Sequence, residues 1–179
     1  MKRLLVLAAM ALAMVPGGTR AAADLPIAAF FGTFSGGGVA ENRDSIYFAV
    51  TARDFDVAIR PEGAGFRIDW TSVIRRGGDP ARPDVRRQKS TKTLVPTGVP
   101  GVFRGTGSGD PLAGGELCWA RIQGATLKIF LMMVDGSGIY ELQQYDRTLS
   151  GTGMQFTFTS LRDGDRVRTV NGRLVKTGN

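Results

Sequence analysis

Apolar and polar side chains alternate strictly from Asp54 to Arg60, where Phe55, Val57 and Ile59 are set against Asp54, Asp56, Ala58 and Arg60. A period of two marks a strand with one buried face. Pro61-Glu62-Gly63-Ala64-Gly65 then supplies turn residues, and Phe66, Ile68 and Trp70 alternate with Arg67, Asp69 and Thr71. The two runs predict a hairpin that is packed on one side and wet on the other.

The C-terminal half repeats the device. Gly124-Ala125, Asp135-Gly136-Ser137-Gly138, Ser150-Gly151-Thr152-Gly153 and Arg162-Asp163-Gly164-Asp165 punctuate the chain at intervals of about a dozen residues, and the gaps are rich in β-branched and aromatic side chains. The spacing predicts strands over 117–122, 127–134, 139–149, 154–161 and 167–175. Earlier strands are expected over 31–40 and 45–51, around a Glu41-Asn42-Arg43-Asp44 turn, and over 87–94. With the hairpin these make about ten. Two Gly/Pro-rich segments, 77–84 and 96–111, interrupt the rhythm as long loops, the second holding only a short strand at Val102 to Arg104. No stretch after residue 23 carries an apolar stripe of helical period.

Antiparallel strands in consecutive order remove their exposed edges most simply by closing. An all-β, up-and-down antiparallel barrel of about eight to ten strands is therefore expected, with a two-sheet sandwich as the alternative. An outer-membrane barrel fits less well, because the charged face of the hairpin would have to line a pore.

Residues 1–23 read as an address. Met1-Lys2-Arg3 is basic, Leu4 to Val15 is apolar, and Ala21-Ala22-Ala23 offers a small-residue cleavage site. Twelve apolar residues are too few to span about 30 Å of hydrocarbon. The expected product is a single domain over 24–179, periplasmic or secreted and not membrane-spanning. Cys118 is the only cysteine, so no intramolecular disulfide is possible.

Charge refines this picture. The whole chain carries +7, and loss of Lys2, Arg3 and Arg20 leaves 20 basic against 16 acidic residues. Between Arg60 and Lys92 seven Arg and two Lys face four acids. The resulting basic patch, Arg75, Arg76, Arg82, Arg86, Arg87, Lys89 and Lys92, suits anionic lipid, acidic glycan or a protein partner, with nucleic acid not expected in an exported chain. A solvated loop and outward strand faces would leave the same trace.

Chemistry is sparse. The sequence has no His, which removes imidazole from any triad, proton shuttle or usual metal site. Asp54 and Asp56 read as outward neighbours of Phe55 and Val57 rather than as a carboxylate pair. The Asp-Gly segments lack the ligand spacing of a calcium loop and read as turns. The glycine-rich run from Gly105 to Asp110 lacks the Lys of a phosphate-binding loop. Cys118, beside Trp119, reads as a buried thiol. No catalytic residue, metal site or cofactor is assigned.

The opening Phe31-Gly32-Thr33-Phe34-Ser35-Gly36-Gly37-Gly38 resembles the G-x-W start of lipocalins, and more closely the G-x-W-x-G-x-G start of nitrobindin-like barrels within the calycin group. Phe34 stands where the family has Trp. The resemblance implies a small barrel whose lumen takes an apolar or amphipathic molecule, closed by Gly32, Phe34 and a late arginine, Arg168 or Arg173, over the Phe34 ring. Without His, the haem ligation of the nitrobindin-like proteins is not implied.

Two function classes follow. The first is a non-catalytic carrier or sensor of a hydrophobic small molecule or lipid, its lumen lined by some of Phe55, Val57, Ile59, Phe66, Ile68, Trp70, Trp119, Phe156 and Phe158. The second is a cell-envelope interaction module with a packed lumen, acting through the basic segment 75–92. An enzyme is a third class without a nominated pair of groups. Ile129 to Val134 is apolar at consecutive positions, so part of it must face outward. The Leu25 to Phe30 segment or the Pro-rich loop is expected to cover it, or else a homodimer or envelope partner.

Overall fold

The computed structural model describes residues 23–42, 51–76 and 84–179. In them ten strands close into one antiparallel barrel: β1 (Gly32–Asn42), β2 (Thr51–Glu62), β3 (Gly65–Arg76), β4 (Asp84–Pro96), β5 (Val102–Gly105), β6 (Leu117–Gln123), β7 (Thr126–Val134), β8 (Tyr140–Ser150), β9 (Gly153–Arg162) and β10 (Asp165–Gly178). Each strand pairs with its neighbours in sequence, and β10 returns to β1. The order is up-and-down throughout. Among the described residues helix is confined to two short 3₁₀ turns, Ile27–Phe30 and Pro111–Ala113.

The predicted hairpin is β2–β3, with Val57 opposite Trp70 and Ile59 opposite Ile68. Its apolar residues face the lumen, while Asp56, Arg60 and Arg67 are exposed on the outer wall. That is the reverse of a membrane-spanning barrel, whose outer wall is apolar. Among the described residues no helix is long and apolar enough to cross a membrane.

The strand count agrees with expectation through a different membership. The strand expected from Ser45 lies almost wholly outside the described residues, as do residues 1–22 of the expected signal and most of the 77–84 loop. Instead the short strand expected at Val102 to Arg104 within the second loop runs over Val102–Gly105 and is a full member of the barrel. It bridges β4 and β6, with Leu94 opposite Gly105 and Arg104 opposite Trp119.

Turn chemistry sets the register. At Asp163-Gly164 both residues take positive φ, 50° and 89°, the twist a two-residue hairpin requires. Asp135 caps its turn as a local acceptor: the Ser137 and Ile139 N–H groups and the Ser137 hydroxyl all donate to its Oδ1. Arg162 pairs with its other oxygen at 3.0 Å. The segment is thus a turn held by its own carboxylate.

The two ends of the barrel differ. At the end where the chain enters β1, Phe30 is fully buried beneath Ile59, Phe66, Ile68, Leu94, Ile122, Leu127 and Met154, all of which are buried too. Gly124 fastens this plug from the β6–β7 turn. Its N–H donates to the Asp24 carboxylate at 2.7 Å, and its carbonyl accepts from Leu25 N–H at 2.9 Å. Side chains fill an eight-stranded barrel, and width grows with strand number. Ten strands therefore leave room, and that room is at the other end.

Candidate functional site

The open half of the lumen holds a cavity of about 100 Å³. Phe55 and Val57 from β2, Trp70 and Ser72 from β3, Gln88 and Ser90 from β4, and Val170 and Leu174 from β10 form one side. Gln143, Tyr145 and Arg147 from β8, with Phe156 and Phe158 from β9, form the other. Gln88 and Arg168, both exposed, stand at its rim.

Arg147 dominates the site. The two-residue turn after Ser150 pairs Leu149 with Met154 and Arg147 with Phe156, so Arg147 must share the inward face of Phe156. Only 1% of it is exposed. Its guanidinium carbon lies 5.6 Å from the centre of the Trp70 ring and 5.4 Å from those of Tyr145 and Phe156. Negative ring faces thus supply much of its electrostatic partnership. Among the described residues no carboxylate forms an ion pair with it, and its Nε and Nη1 have no hydrogen-bond partner. Burial pulls its pKa down to about 10, which leaves it a cation at neutral pH.

The aromatic side chains form a connected wall. Phe55 and Phe156 centres are 5.0 Å apart, Trp70 and Tyr145 5.3 Å, and Tyr145 and Phe158 4.8 Å. A polar ladder climbs β8 beside them. Tyr145 donates to Gln143 Oε1, Gln143 Nε2 donates to Glu141 Oε1, and the buried Ser160 hydroxyl donates to the same Glu141 oxygen. The Tyr145 proton is thereby committed, and burial raises its pKa to about 12.

Sequence reasoning found part of this set. Phe55, Val57, Trp70, Phe156 and Phe158 line the cavity. Ile59, Phe66 and Ile68 face inward too, but in the packed half. Trp119 lies on the outer wall, because Cys118, Ala120 and Ile122 take the inward positions of β6; it stacks on Phe130 at 4.8 Å and 11°. Arg147, Tyr145 and Gln143 were not singled out.

The expected closing contact is distributed otherwise. Phe34 is buried, and Gly32 bends the chain into β1 with φ of 140°, a backbone setting that favours glycine. Arg173 pairs opposite Gly37 and is exposed on the outer face. Arg168 pairs opposite Asn42, eight residues and roughly 26 Å along β1 from Phe34. The register brings neither to Phe34; the arginine over lumen rings is Arg147.

The basic patch divides. Arg86, Arg87 and Lys89 are exposed, whereas Lys92 is half-buried in an ion pair with Glu116. Arg82 and the side chains of Arg75 and Arg76 lie outside the description. On β7, Ile129 and Leu131 face the core, and the Pro111–Ala113 turn packs against the strand. The Leu25 to Phe30 segment serves as the plug instead.

No family model and no curated protein matches this chain. Among solved structures, the S-type phycobiliprotein lyase CPES from Guillardia theta is similar over 86% of this chain and 91% of that chain, at 8% identity and a TM-score of 0.38. A likeness of that degree carries no argument about function.

Proposed function

We propose that the protein is an exported, non-catalytic carrier or sensor that holds a small amphipathic molecule in the open half of its barrel. The observation that supports this reading is the division of the lumen: one half is plugged by Phe30, and the other keeps a cavity walled by five aromatic rings. Packing alone favours filling such a space, since cavities cost stability. A cavity of about 100 Å³ is smaller than the 150 Å³ that admits benzene in an engineered core, so the occupant is compact or extends past the rim toward Gln88. Export rests on the tripartite start of the chain.

Native mass spectrometry of the protein purified from its source tests the reading. A bound small molecule that leaves on denaturation is expected, on a polypeptide beginning at Asp24. A bare polypeptide mass overturns the carrier reading and favours the envelope module acting through Arg86, Arg87 and Lys89. A mass that still includes residues 1–23 overturns export with cleavage.

A further inference from the structure

We propose that the occupant is an organic monoanion, a carboxylate on a flat or short apolar body, and that Arg147 is the residue that binds its charge. This rests on the lumen reading above and adds the ligand's chemical class. A guanidinium buried without a counter-ion is costly, and the usual remedies are a carboxylate partner or full hydrogen bonding. Among the described residues Arg147 has neither. The one carboxylate on its own inward face, Glu141, is held by Gln143 and Ser160, and forms no ion pair with Arg147.

The geometry selects the ligand's shape. Trp70, Tyr145 and Phe156 surround the guanidinium carbon at 5.4 to 5.6 Å, while Nε and Nη1 are buried donors without a hydrogen-bond partner. A buried guanidinium with unpaired N–H donors, lining the cavity, suits an oxyanion, and charge-assisted bonds of this kind are the strong ones. One buried cation balances one negative charge. The remaining walls, Phe55, Val57 and Phe158, are apolar and suit a hydrocarbon body rather than a second charge.

Calorimetric titration with benzoate, whose ring would extend past the rim toward Gln88, and with benzamide, its neutral counterpart of the same shape, separates charge from fit. The wild-type protein is expected to bind benzoate at least about ten-fold more tightly than benzamide. Arg147→Met should bring that ratio to about one through loss of benzoate affinity, with Arg147→Gln as the second variant should Met fold poorly. Equal wild-type affinities, or a preference that survives both substitutions, overturn the anion inference and leave the lumen reading standing. So does a native ligand without an acid group. Silence with both probes together with a bare native mass overturns the lumen reading, and this inference with it.

Discussion

Arg147 and Trp70, from strands on opposite sides of the cavity, meet inside the barrel with the guanidinium carbon 5.6 Å from the ring centre. The contact places an uncompensated cation against the tryptophan best placed to report on it. Trp119 stacks on Phe130 outside. Single-tryptophan variants should therefore behave differently. With Trp119→Phe, the emission of Trp70 should resist acrylamide and respond to benzoate; with Trp70→Phe, the emission of Trp119 should be more readily quenched and indifferent to benzoate. A benzoate response from Trp119 alone contradicts the placement of the site.

Phe34 is 2% exposed in the core, and its truncation to Ala should cost about 3 to 5 kcal/mol through the cavity it leaves. Arg173 points outward from the partner strand. A double-mutant cycle of Phe34→Ala with Arg173→Ala should thus be additive within about 0.5 kcal/mol, measured by urea unfolding. A larger coupling would restore the closing contact implied by the calycin resemblance.

Much of the barrel was legible because Phe55, Val57 and Ile59 on β2, Phe66, Ile68 and Trp70 on β3, and Met154, Phe156 and Phe158 on β9 are buried at alternate positions. The polar half of the lumen was less so. Along β8 the inward positions are Glu141, Gln143, Tyr145, Arg147 and Leu149, and the outward ones include Leu142 and Tyr140, so neither face is uniformly apolar. Period-two reading has nothing to hold there. The parity was nonetheless present in the turn: Gly151-Thr152 is a two-residue loop, which forces Arg147 onto the face of Phe156. Trp119 misled for the opposite reason, since an aromatic in a strand suggests a core whichever face it occupies. Val102 to Gly105 is too short to show a period at all.

Cys118 is buried inside β6, and burial raises its thiol pKa to about 11 from an ordinary value near 9. The native state therefore holds this proton after the unfolded chain has released it. Its contribution to stability is intact below the unfolded pKa and is lost as pH rises from about 9 to about 11. At pH 8 the thiol should be inert to Ellman's reagent in native protein and react stoichiometrically in denaturant. Rapid labelling of the folded protein would place Cys118 at the surface.

Whether the fold itself needs Arg147 decides its role. Burial depresses its pKa to about 10, which marks the charged form as unfavourably buried at neutral pH, a burden partly offset by the three ring contacts. The sign follows from proton binding: above about pH 10 the unfolded chain still holds the proton that the native state gives up, so the burden is greatest below about pH 10. Urea unfolding at pH 7 of ligand-free wild type and Arg147→Met measures it directly. A residue kept for a ligand predicts that the variant is as stable as wild type or more stable by about 1 to 3 kcal/mol, at unchanged m-value. A loss of about 3 to 5 kcal/mol would make Arg147 a structural partner of the barrel and contradict its assignment as the ligand's anchor.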